Sequence, residues 1–241
     1  MRRTAPRRIG LRRDMGDALR LRHDRRHRFP ILVLFAALMS LIFSSPILAA
    51  SRPIKLVAFG DSLTAGYRLP ADAAFPAVLE RLLKAKGRDV SIANAGVSGD
   101  TTTGGLDRLD WSVPDGTDGV ILELGANDML RGTDPAVARR NLTAMLDRLK
   151  ARGIPVLIAG MQAAPNLGPD YRAKFDAIFP DLAKQYGLIL YPFFLDGIIG
   201  DAGQHLDDGL HPNTKGVQTI AARMVPTVER FLDTLPAKAA R

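Results

Sequence analysis

Three kinds of side chain in this sequence could between them cut an acyl bond. The first is Ser62, in Gly60-Asp61-Ser62-Leu63-Thr64-Ala65-Gly66-Tyr67, directly after an apolar run. At a strand-to-helix turn a serine hydroxyl can face a cleft while its N–H points at developing negative charge. A serine there also serves as a helix N-cap. A phosphate-cradling turn is a third reading, but the Lys-Ser/Thr of a P-loop and the spacing of a dinucleotide fingerprint are both missing. A serine hydroxyl is a weak nucleophile until a base takes its proton, and histidine, with an ordinary pKa of about 6.5, is the usual base. Of four histidines, His23 and His27 fall in an arginine-rich start, which leaves His205 and His211. Asp208 stands three residues before His211 and three after His205. A carboxylate three residues before an imidazole can reach it and fix its tautomer.

Asn127, in Gly125-Ala126-Asn127-Asp128, supplies an uncharged N–H donor of the kind an oxyanion hole requires. The same Asn-Asp pair also suits a plain loop. Gly99, in Gly96-Val97-Ser98-Gly99-Asp100, lets a backbone N–H approach a ligand closely, or simply makes a turn. Gly96-Val97-Ser98-Gly99 nearly spells a G-x-S-x-G nucleophile elbow, but Asp100 stands where the last glycine belongs, so Ser98 reads as structural. Two usable histidines and no cysteine argue against zinc. A magnesium site on Asp61, Asp100 and Asp128 is the weaker alternative, and the expectation is no metal and no cofactor.

These residues need a scaffold. Five apolar, β-branched runs stand out at 54–59, 90–93, 120–124, 154–159 and 188–191. They begin 36, 30, 34 and 34 residues apart, the size of a βαβ unit. Between them lie helical stripes: Phe75, Val78, Leu79, Leu82 and Leu83, then Ala138, Leu142, Met145, Leu146 and Leu149. Asp134-Pro135 is a start signal for the second. Further helices are expected over about 170–186 and 213–232. Continuous apolar strands with helices between them predict an α/β protein, a parallel sheet covered on both faces. Ligands then bind outside the carboxyl ends of the strands, where Ser62, Gly99 and Asn127 fall.

Taken together and in order, Gly60-Asp61-Ser62-Leu63, Gly99, Gly125-x-Asn127-Asp128 and Asp208-x-x-His211 resemble the four blocks of the SGNH, or GDSL-type, hydrolases. Within them the chain is most similar to the bacterial thioesterase I, lysophospholipase and arylesterase group. Ser98-Gly99-Asp100-Thr101, Glu123-Leu124-Gly125 and Tyr191-Pro192-Phe193-Phe194 add to the likeness, which runs from about residue 54 to the last helix. The resemblance implies a flavodoxin-like three-layer α/β/α sandwich with a five-stranded parallel sheet. It implies Ser62 as nucleophile, His211 as general base and acid, and Asp208 as the group orienting His211. Ser62 N–H, Gly99 N–H and the Asn127 side chain would form the oxyanion hole. Loops 129–135 and 162–169 would line the acyl pocket, through Met129, Leu130, Ala163, Ala164 and Pro165. The activity implied is hydrolysis of acyl or aryl carboxylic esters. The rival readings are a carbohydrate acetylesterase, disfavoured by a single Trp and four Tyr, and a non-catalytic flavodoxin-like ligand-binding module, which leaves Asp208 and His211 unexplained.

The chain has 241 residues and a net charge of +8, which would ordinarily suggest nucleic acid. Residues 1–30 hold eleven arginines and three aspartates, and 11 − 3 = +8, so the remaining residues sum to zero. No nucleic-acid partner is expected. The following apolar stretch, 31–43, is short for a membrane span and suits a signal peptide. Ala49-Ala50-Ser51 offers a cleavage site, and Met15 an internal start. The expected division is a basic leader over 1–51 and a hydrolase domain over 52–241. That domain would be periplasmic or secreted, or else held outside the cytoplasm by an uncleaved anchor. Membrane contact is expected only through the leader, and the domain is expected to be a monomer acting on a small-molecule ester.

Overall fold

The computed structural model describes residues 52–236; the leader, with the expectations placed on it, lies outside the described residues. Five strands form: β1 (Ile54–Gly60), β2 (Val90–Gly96), β3 (Gly119–Glu123), β4 (Val156–Ala159) and β5 (Ile189–Tyr191). They pair in parallel in the order β2-β1-β3-β4-β5. The expected α/β architecture is therefore present. β4 starts later than its apolar run because Pro155 has no N–H to give the ladder. The Pro155 carbonyl still accepts from Val120 N at 2.9 Å.

On one face of the sheet α2 (Phe75–Ala85) packs against α8 (Thr214–Thr234), following the short α1 (Ser62–Ala65) in the chain. On the other lie α3 (Thr102–Ser112), α5 (Pro135–Ala151), α6 (Pro169–Asp176) and α7 (Ile178–Tyr186), with the short α4 (Ala126–Leu130) leading into α5. The predicted stripes face inward: Val78, Leu79 and Leu83 of α2 and Ala138, Leu142, Met145, Leu146 and Leu149 of α5 are all buried. Each large aliphatic side chain so buried stabilises the fold by about 1.5–3 kcal/mol. Asp134 caps α5 as its sequence suggests, accepting from Ala136 N at 2.9 Å, with Pro135 at the first helical position.

Two differences from expectation have local causes. The helix foreseen over 170–186 is broken at Ala177. Pro180 has no N–H to return to the carbonyl of Asp176, so a continuous helix would lose that bond. α3 was not foreseen, since Gly104 and Gly105 lower helix propensity in its first turn. Its glycines allow close approach to the sheet: a Cβ on Gly105 would lie 2.3 Å from Leu124 Cδ1.

The register sets Gly60, at the end of β1, beside Gly96 of β2 and Glu123 of β3. From β1 the chain moves out to β2 and then returns past β1 to β3. The crevice between β1 and β3 is thus the switch point where such sheets bind ligands.

Candidate active site

The turn after β1 carries Ser62 into that crevice. Asp61 is the N-cap of α1 and accepts from Leu63 N at 2.9 Å. The turn closes tightly over the sheet, and Gly60 makes this achievable. A Cβ there would lie 2.2 Å from Thr64 Oγ1 and 2.5 Å from Glu123 Oε2. Ser62 itself is 7% exposed.

His211 reaches Ser62 from the far end of the chain. Its Nε2 lies 2.9 Å from Ser62 Oγ, and its Nδ1 lies 2.8 Å from Asp208 Oδ2. Asp208 Oδ1 also accepts from the backbone N–H of Leu210 and of His211, each at 2.9 Å. One carboxylate therefore folds its own loop and holds the imidazole. Its pKa is lowered to about 2, chiefly by the His211 backbone N–H, with the Leu210 N–H and the imidazole adding against a partial loss of solvent. The Tyr67 ring packs against the imidazole, centroids 4.3 Å apart and planes tilted by 36°.

His205 takes no part in this chain of contacts. Its Nδ1 lies 2.9 Å from the carbonyl of Asp201, and it lines a separate hollow with Ile199, Leu206 and Asp207. Ser98 is exposed and hydrogen-bonds neither imidazole.

Asn127, expected as an oxyanion donor, sits between the Asp61 turn and the Gly99 loop. Its Nδ2 donates to Asp61 Oδ2 at 3.1 Å and to the Asp100 carbonyl at 2.9 Å. Those acceptors adjoin Ser62 and Gly99, so the amide lies beside both. Gly99 has φ +81°, a conformation that side chains rarely adopt. The Ser62 and Gly99 N–H groups bond no acceptor among the described residues. The Ser62 and Gly99 N–H groups are thus open to a ligand oxygen, whereas both Asn127 Nδ2 hydrogens are engaged and one must leave its present acceptor to meet an oxyanion.

Several supporting residues carried no clear signal in the sequence. Arg108 is buried on α3; its Nε donates to Asp100 Oδ2 at 2.6 Å and its Nη groups to the carbonyls of Gly60 at 2.8 Å and Ala95 at 2.9 Å. Its guanidinium also lies over the Phe59 ring. It ties the ends of β1 and β2 to the Gly99 loop. Asp128 fixes the start of α3, accepting from Thr102 N at 2.8 Å and Thr102 Oγ1 at 2.6 Å. Asp61, Asp100 and Asp128 each spend oxygens on protein donors, and no group of three or more possible ligands among the described residues could hold a metal ion. Of the expected pocket residues, Met129 and Ala163 are buried in the core. Ala164 is half-buried, while Leu130 and Pro165 are exposed. Asp176 Oδ1 accepts from Ala163 N at 2.7 Å and so holds the second loop in place.

Known proteins resemble this chain over most of its length. The model of the GDSL-like Lipase/Acylhydrolase family matches residues 58–219. An arylesterase of Vibrio mimicus is 40% identical over 186 residues, covering 76% of this chain and 93% of the relative. The thioesterase 1/protease 1/lysophospholipase L1 of Escherichia coli (strain K12) is 37% identical over 185 residues, 76% of this chain and 88% of the relative. Among solved structures, the psychrotrophic esterase EstA from Pseudoalteromonas sp., inhibited by monoethylphosphonate, superposes with a TM-score of 0.71 at 30% identity. That match covers 75% of this chain and all of the other (100%).

Proposed function

The chain belongs to the GDSL-like lipase/acylhydrolase family and is a serine carboxylic ester hydrolase, and from that premise we propose that Ser62, His211 and Asp208 are its catalytic triad. The Ser62 and Gly99 N–H groups and Asn127 Nδ2 are its oxyanion hole in this reading. The observation that carries it is the unbroken run from Ser62 Oγ through both imidazole nitrogens to Asp208.

The chemistry is acyl transfer in two steps. Ser62 Oγ bonds to the ester carbonyl carbon as its proton passes to His211 Nε2, and the carbonyl oxygen becomes an oxyanion facing the three donors. Asp208 stays ionised and steadies the imidazolium. Collapse breaks the bond to the leaving group, which takes the proton from Nε2. Water then attacks the acyl-enzyme with His211 again as base, and Ser62 leaves with the proton. Acyl or aryl esters are the substrate class, with Leu130, Ala164 and Pro165 bordering the acyl group and Met129 and Ala163 backing them. The first 51 residues, an arginine-rich segment followed by an apolar stretch, export the domain to the periplasm in this reading. No helix among the described residues is long and apolar enough to cross a membrane.

A fluorophosphonate probe tests the assignment. Wild-type protein is expected to be labelled, and Ser62→Ala not at all. Ser98→Ala should be labelled normally; loss of labelling there would move the nucleophile to the Gly99 loop. A series of p-nitrophenyl esters of increasing chain length then reads the acyl preference, with activity confined to acetate pointing to an acetylesterase instead.

A further inference from the structure

Glu123, the last residue of β3, lies directly beneath the nucleophile turn and has no part in the steps above. It is 1% exposed. Its Oε2 accepts from Thr64 Oγ1 at 2.7 Å and from Asp61 N at 3.3 Å. Its Oε1 is buried with no partner. One oxygen therefore braces both ends of the turn that holds Ser62, and the other is cut off from donors and from water.

The neighbours decide which carboxyl keeps its charge. Burial raises the Asp61 carboxyl too, to about 7, but Asp61 receives a donor on each oxygen, Leu63 N on Oδ1 and Asn127 Nδ2 on Oδ2, and these favour its charged form. Glu123 receives donors on one oxygen only, so a proton on Oε1 displaces none. From the other elements around it come Asp100 after β2, Asp128 on α4 and the buried Arg108 on α3. Arg108 commits its donors to Asp100 and to main-chain carbonyls. β4 presents only Val156, Leu157, Ile158 and Ala159. Beyond Ser62 stand His211 and Asp208. Burial, then the nearby Asp61 charge, push the Glu123 carboxyl well above its ordinary range.

We propose that Glu123 is a positioning residue for ester hydrolysis: as a neutral carboxylic acid it holds the Ser62 turn from beneath, and losing its proton as pH rises places a second negative charge under the oxyanion site and slows acyl transfer. The proposal rests on Ser62 as nucleophile. The oxyanion forms against Ser62 N–H and Asn127, each one bond removed from Asp61. A further buried negative charge there opposes the transition state more than the ground state.

The test is the pH dependence of kcat on a p-nitrophenyl ester, corrected for spontaneous hydrolysis, for wild type, Glu123→Gln and Glu123→Ala. Glutamine keeps the acceptor for Asp61 N and Thr64 but cannot ionise. Its kcat at pH 7 is expected within about threefold of wild type, with the alkaline decline abolished and KM unchanged. Alanine leaves two buried donors unpaired and should lower kcat about tenfold to a hundredfold at every pH. An alkaline decline that persists unchanged in Glu123→Gln overturns the proposal, as does a glutamine variant as impaired as the alanine one. Should the glutamine variant not fold, infrared spectra of wild type read the proton directly. A protonated-acid C=O band at pH 7 that shifts on ¹³C-glutamate labelling and fades through the alkaline decline supports the proposal; its absence overturns it. Fluorophosphonate labelling separates the two readings, since a wrong nucleophile fails there while the infrared band still reports on Glu123.

Discussion

Asp208 shows how much one side chain can be asked to do. It closes its own loop through two backbone N–H groups and holds His211 Nδ1 at 2.8 Å. In Asp208→Asn the amide oxygen can keep the backbone bonds, but an NH₂ group then faces Nδ1. That turns the imidazole to the tautomer with its proton on Nε2, pointing at Ser62, where it can no longer accept one. The expected loss is about 10³–10⁴ in kcat with the fold retained, measured by steady-state turnover alongside circular dichroism. The same carboxylate makes stability depend on pH. Its folded pKa, about 2, lies below the ordinary value. Its contribution is therefore present above about pH 4 and lost as pH falls from there toward 2. Acid unfolding should show the gap between wild type and Asp208→Asn closing over that interval; a gap constant down to pH 2 would contradict it. Asn127→Ala is the milder lesion, removing one of the three proposed oxyanion donors, and should cost about 10²–10³ in kcat with KM little changed.

At the scale of elements, what matters is how the ends of β1, β2 and β3 are locked together. Arg108 does this with a single guanidinium, bonding the β1 and β2 carbonyls and the Asp100 carboxylate in one plane. Lysine keeps the charge but not the fork. Arg108→Lys is thus expected to loosen the Gly99 loop and lower kcat about tenfold or more, since each charged hydrogen bond contributes about 1.5–3 kcal/mol. Equal turnover in the two proteins would show that the loop is held by something else. Gly60→Ala should be worse for folding, because its Cβ would meet Thr64, the Glu123 carboxyl and the Glu123 carbonyl all within 2.6 Å. Overpacking of this kind typically costs about 1–3 kcal/mol, read as a lower midpoint in thermal unfolding. Much of this arrangement was legible beforehand. The strands declared themselves by apolar runs, α2 and α5 by periodicity, and the Ser62–His211–Asp208 chain of contacts by histidine arithmetic and by motif order. What stayed hidden depended on tertiary contact. Arg108 looks like any helical arginine until its partners, up to 48 residues away, are known. Glu123 was visible only as a charge within the apolar run 120–124 and as part of a stretch resembling the family, and Tyr67 gave no sign that it would lie against an imidazole. α3 was masked because packing against Leu124, not propensity, holds Gly105 in a helix.

For the molecule as a whole, charge is divided as sharply as function. The +8 of the chain equals the excess of eleven arginines over three aspartates in residues 1–30, and the rest balances to zero. Many arginines of the domain are spent internally, among them Arg52 on Asp118, Arg68 on Asp207, Arg139 on Asp181 and Arg223 on Asp196. The exposed pairs among these add about 0–1 kcal/mol each to stability, so their main effect is to balance the net charge. A domain whose charges sum to zero has no net charge with which to steer or concentrate a charged partner. Two outcomes then separate the leader from the enzyme. The chain without residues 1–51 should pass through a heparin column at 50 mM salt, while the chain that keeps its arginine tract is retained and released as salt rises, as counterion release demands. Turnover of an uncharged ester, by contrast, should change little between 50 and 200 mM salt in either form. Retention of the leaderless chain would mean that a basic surface exists on the domain despite its zero sum, and would reopen a polyanionic partner for the folded enzyme.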